Sequence, residues 1–148
     1  MESTRISANQ TSLSEPEAKW GELLDAGFQV FPDVILRSQG LLGLNAVDIV
    51  VIANITQAWW FADELPFLLP ASIAKRMGVA ERTVQRSLAK LRSKGLLKRR
   101  KRILGDGSVR YVYDLTGLRE RLTPFARREV RFSESQISKS ETKKRLEL

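Results

Sequence analysis

The chain has no cysteine and no histidine among its 148 residues. Without cysteine there is no disulfide framework and no thiolate chemistry. Without either residue, ordinary structural zinc sites and Ser-His or Cys-His catalysis are excluded by inventory. Long apolar runs are missing too. The longest, Ala46 to Phe61, is interrupted by Asp48, Asn54, Thr56 and Gln57, which argues against a membrane span. The opening MESTRISANQTSLSEPE has no apolar stretch and does not read as a signal peptide. A soluble, cytoplasmic protein is therefore expected.

Acids are scarce where cations are dense. Residues 1–69 hold three Lys or Arg against nine acids, residues 70–131 hold eighteen against five, and residues 132–148 four against three, which together give the net charge of +8. A positive field confined to one segment points to a polyanion. A nuclease would need clustered carboxylates to hold metal ions, and the five acids of the basic segment are scattered. No enzyme, cofactor, metal or small-molecule ligand is implied.

The basic segment contains PASIAKRMGVAERTVQRSLAKLRSKG, residues 70–95. Ile73, Ala74 and Met77 share one helical face, and Gly78 suits the stop of a short helix. Val84, Leu88 and Leu91 recur at i, i+4, i+7 in a second helix, which Gly95 closes. Its opposite face carries Arg82, Arg86 and Ser93, flanked by Gln85 and Arg92 on one side and Thr83 and Lys90 on the other. A small residue (Ala74) and a glycine four positions later let two short helices cross steeply, which is a helix-turn-helix. After Gly95, Leu97 to Leu104 and the alternating Val109 to Asp114 flank the turn residues Gly105–Ser108, so a β-hairpin follows. Its first strand carries Lys98, Arg99, Arg100, Lys101 and Arg102 in unbroken order. A charged edge that resists aggregation is one explanation of that run; the place of the hairpin, directly after the helix-turn-helix, favours contact with phosphate or the minor groove over it.

The predicted organisation is a disordered tail over 1–13, one domain over 14–123 and a polar, frayed tail over 124–148. Within the domain, Ser14 and Glu17 form a capping-box pattern ahead of a helix from Glu15 to about Ala26, with Trp20, Leu23 and Leu24 turned inward. Phe28, Val30 and Phe31 suit a short edge strand that Pro32 ends. Asn45 is placed to cap a helix from Ala46 to about Trp60, with Asp48 at its positive end. That helix is apolar on nearly all sides, so both faces should be buried. One covers the helix-turn-helix; the other needs the N-terminal segments or a second subunit, the latter giving a homodimer through helix 46–60. Trp59, Trp60 and Phe61 read as core and loop anchor, and 62–69 as a loop. Thr116 caps a short helix ending near Arg121.

GVAERTVQRSLAKLRSKGLLKR resembles the helix-turn-helix of winged-helix regulators (GntR-like and MarR-like). It is closer still to the winged domains of plasmid and phage replication initiators, with their G-V-S-x-R-T-V-Q-R-x-L-x-x-L-x-x-x-G-L-I pattern. PDVILR and YDLTGLRERL extend the resemblance to roughly residues 27–122. Ala80 departs from the usual Ser, at a cost of about 1 kcal/mol of N-capping. The resemblance implies a mainly α fold with a small β-hairpin wing, a winged helix-turn-helix, and double-stranded DNA as partner. The function expected is sequence-specific binding, as a transcriptional regulator or a replication factor. Helical phase assigns Arg82, Thr83, Gln85, Arg86 and Lys90 to the recognition helix. Lys75, Arg76, Lys94, Arg100, Arg102 and Arg110 fall to phosphate and wing contacts. A winged protein-interaction module that binds no DNA is the alternative.

Overall fold

Two glycines set the geometry at the centre of the chain. Gly78 and Gly95 take left-handed backbones (φ 66° and 71°), which glycine adopts without steric cost. The Val79 and Gly78 N–H groups donate back to the Ala74 and Lys75 carbonyls at 3.1 and 3.3 Å, and the Leu96 and Gly95 N–H groups to Leu91 and Arg92 at 3.0 Å each. These paired bonds satisfy carbonyls that a helix end otherwise leaves open. The helices so ended, Pro70–Met77 and Glu81–Ser93, are those the spacing predicts.

The computed structural model describes residues 15–146, and the chain divides into two units, residues 1–30 and 31–148. Ser14 and the polar segment 1–13 lie outside the described residues. In the first unit, α1 (Glu15–Trp20) gives way to a 3-10 turn, Gly21–Ala26, rather than continuing as one helix. Gly21 at φ +53° breaks the right-handed path. Neither piece buries a residue, and Trp20 and Leu23 face water instead of turning inward. The expected strand at Phe28–Phe31 does not form. Pro32 instead leads into a helix of the second unit.

In that second unit the order is α2 (Asp33–Arg37), α3 (Ala46–Ala58), α4 (Pro70–Met77), α5 (Glu81–Ser93), β1 (Lys98–Ile103), β2 (Val109–Asp114) and α6 (Thr116–Leu146). Val51, Ile52 and Ile55 of α3 pack with Ile73 of α4, Val84, Leu88 and Leu91 of α5, and Leu118 and Leu122 of α6. The apolar surround of α3 is only partly covered: Val50 remains exposed and Asn54 bonds the Val50 carbonyl. Strands β1 and β2 pair antiparallel, with Lys98 opposite Asp114 and Arg102 opposite Arg110. The segment 62–69, expected as a plain loop, joins this hairpin. The Tyr113 N–H donates to the Pro66 carbonyl at 3.0 Å, and Phe67 bridges Val112.

The helix expected to end near Arg121 runs 31 residues, through Pro124. Pro124 has no N–H for the Glu120 carbonyl, yet no glycine or proline follows to stop the helix. Arg37 grips Glu129 through two bonds of 3.2 and 2.9 Å, fastening α2 to α6. At the start of α6 the fit is tight. A Cβ on Gly117 would collide with the Gly95 carbonyl oxygen, while the Leu118 N–H donates to the Leu96 carbonyl at 3.0 Å. Gly117→Ala should therefore cost about 1–3 kcal/mol through overpacking, read as a lowered urea midpoint. Gly105→Ala, where an added Cβ meets nothing within 4 Å, should stay within about 0.5 kcal/mol of the parent.

Candidate nucleic-acid interface

The outward face of α5 is set by what its inward face holds. Asp48 on α3 is 1% exposed. It accepts the Asn45 N–H at 2.9 Å, the Ser87 hydroxyl at 2.7 Å and the Lys90 ammonium at 2.6 Å. Its own N–H donates to the Asn45 side chain at 3.0 Å, which completes a capping box for α3. Burial alone would raise the Asp48 pKa. The bonds from Asn45, Lys90 and Ser87, with the Lys90 charge, outweigh that and hold the carboxyl below its ordinary value.

Lys90 is thus engaged inside the fold, although helical phase alone places it with the outward residues. Arg82 and Arg86, one turn apart, are exposed and have no side-chain partner among the described residues. Thr83 is half-buried beside them. Gln85 donates to Glu81 across one turn at 3.0 Å. No side chain caps α5 at Ala80, so that bond and the burial of Val84 order its first turn.

The residues assigned to phosphate and wing divide in the same way. Lys75 and Lys94 are exposed. Arg76 donates to Gln57 at 3.1 Å and to Asn54 at 3.4 Å, tying α4 to α3. Arg100 pairs with Asp114 at 3.0 Å, and hydrogen bonding from Thr116, more than that pair, holds the Asp114 carboxyl below its usual range. Arg102 is exposed without a partner among the described residues, whereas the Arg110 guanidinium lies 4.8 Å over the Phe67 ring. Two further cations, Arg92 and Arg99, line a groove between α5 and the hairpin together with Gln85 and Tyr113. Arg92 stands seven residues after Gln85, and that spacing is the signal by which it was legible. Arg99 rests 4.4 Å over Tyr111, a cross-strand contact that depends on the register.

A helix-turn-helix followed directly by an antiparallel hairpin, on a mainly helical frame, defines a winged helix-turn-helix. The DnaD N-terminal domain family matches residues 31–132, more than half of the chain, and the chain belongs to that family. The N-terminal domain of DnaD protein from Geobacillus kaustophilus HTA426 is similar in structure, with TM-score 0.54 and 21% identity over 83% of this chain and 99% of that one. A possible transcriptional regulator from Methanosarcina mazei aligns at TM-score 0.44 and 22% identity, over 72% and 85% of the two chains. A MarR-family transcriptional regulator from Silicibacter pomeroyi aligns at 0.39 and 22%, over 64% and 60%. No curated protein matches the sequence. Among the described residues no helix is long and apolar enough to cross a membrane.

Removing Asp48 leaves Ser87 and Lys90 without their acceptor, so Asp48→Ala should lose about 3 kcal/mol in urea unfolding. The lowered pKa fixes the sign with pH. The stabilisation is present above the unfolded value, near 3.8, and is lost as pH falls through the lower folded value. The unfolding free energy of Asp48→Asn, measured from pH 6 to pH 2, should fall less steeply than that of the parent.

Proposed function

We propose that this chain is a sequence-specific double-stranded DNA-binding protein that lays α5 in the major groove. One observation carries the reading: Arg82 and Arg86 are exposed, lie one turn apart and are unclaimed by any described residue, on the segment that holds the positive excess. Arginine pairs bidentately with guanine, and each correct pair contributes about 1–3 kcal/mol of discrimination. Thr83 and Gln85 flank that pair. Lys75, Arg76, Lys94, Arg100, Arg102 and Arg110 face the phosphates in this reading, Arg76 and Arg100 by exchanging an internal partner for an external one. Lys90 is left with Asp48. The binding unit in this reading is the winged unit from Phe31 onward, whose α6 continues past Arg121 and is fastened to α2 through Arg37 and Glu129. Membership of the DnaD N-terminal domain family supports a replication-related or regulatory role. A homodimer through 46–60 would have to use Ala46, Val50 and Trp60, the apolar residues that segment leaves exposed, with Arg76 engaged on Asn54 and Gln57 beside them.

Selection of bound duplexes from a random pool tests this directly. A consensus should emerge, with affinity falling steeply as salt rises because counterions are released. Arg82→Ala or Arg86→Ala should relax preference at one position by about 1–3 kcal/mol. Arg102→Ala should weaken all duplexes alike and reduce the salt slope by about one unit. Equal affinity for every duplex, with protein partners still captured by an Arg82→Glu/Arg86→Glu variant, would instead identify an interaction module.

A further inference from the structure

A cleft of about 320 Å³ lies on the wing, away from the residues of α5, and its wall includes Trp60, Phe61, Phe67, Arg102 and Arg110. Trp60 and Phe61 are 74% and 65% exposed. Two adjacent large rings left in water are unfavourable unless something covers them. Their backbone is held: the Glu64 N–H donates to the Phe61 carbonyl at 3.1 Å, and Phe67 bridges Val112 on β2. Arg102 and Arg110 stand directly opposite each other across the ladder. Like charges so placed repel, and an anion between them would relieve that. Glu64 is the one acid on this wall, where it can accept from a base amino group.

We infer that this cleft binds single-stranded nucleic acid. A polynucleotide brings flat rings for Trp60 and Phe61 and phosphates for the two arginines, the pairing of stacking platform and basic groove that unpaired strands use. A second copy of this chain applied through the same cleft would bring four arginines together with only two glutamates, Glu64 from each copy. The site does not depend on the duplex reading. Because Arg102 and Arg110 also figure there, the aromatic residues are the ones that discriminate between the two.

Fluorescence anisotropy of labelled oligothymidine and oligouridine of equal length, added to the full chain at low salt, tests the inference. Binding should weaken about tenfold or more in Trp60→Ala/Phe61→Ala and persist in Trp60→Phe and in Arg82→Ala/Arg86→Ala. Wild-type indole emission should be quenched at saturation, and that quench should largely vanish in Trp60→Phe while binding remains. Preference for one probe over the other tells DNA from RNA, and either supports the site. Three results would overturn it: no binding of either probe, binding unquenched and indifferent to the aromatic variants, or a concentration-dependent dimer in sedimentation that Trp60→Ala/Phe61→Ala converts to monomer. Loss of duplex selection with this behaviour intact would count against the α5 reading alone.

Discussion

One buried carboxylate fixes how the two central helices of the winged unit meet. Asp48 closes the cap of α3 through Asn45 and holds α5 through Ser87 and Lys90. A helix is a rigid rod of 3.6 residues per turn, so pinning Ser87 and Lys90 inward fixes the direction of every other residue on α5. Arg82 and Arg86 point outward for that reason as much as for their own hydration. Hydrophobic burial of Val84, Leu88 and Leu91 supplies the adhesion but is tolerant of small rotations. Bonds of 2.6–2.9 Å to one carboxylate are not. A buried ion pair is weak grounds for stability and better grounds for register, and register is what a helix entering a groove needs.

The helix-turn-helix and hairpin were legible because each rests on local pattern. Gly78 and Gly95 stop their helices where the apolar stripes end, and alternation from Val109 to Asp114 marks the second strand. Asp48 was legible only in part. Its place at the third helical position suggests the cap, but nothing in the sequence joins it to Ser87 and Lys90, about forty residues away. The same gap misplaced Lys90 among the outward cations. Trp20 and Leu23 misled in the opposite sense: apolar spacing implies a buried face only when a partner surface exists, and in their unit Gly21 divides the helix before such a face can form. The overlong α6 was hidden by Pro124, which ordinarily signals a stop.

The wing shows how charge can be concentrated without unfolding the sheet that bears it. All six residues of β1 are exposed, five of them cations. Two of the five are relieved at once, Arg99 on Tyr111 and Arg100 on Asp114, while across the ladder Arg110 rests on Phe67 and Arg102 keeps no partner among the described residues. The segment around Pro66 and Phe67 makes this feasible by lying along β2, so that the hairpin has a third lane on one side and leaves its charged strand open on the other.

Beyond Glu129 every α6 side chain described is exposed, so those final turns gain nothing from packing. Backbone bonds, intrinsic propensity and local contacts such as the Thr142 hydroxyl on the Ser138 carbonyl maintain them, and such isolated segments are marginal in water. Warming should erode this end gradually, by helix–coil melting from the terminus, while the packed unit gives way in a single sharp transition. Circular dichroism would then record a sloping decline ahead of the cooperative step, the slope belonging to the exposed turns beyond Glu129.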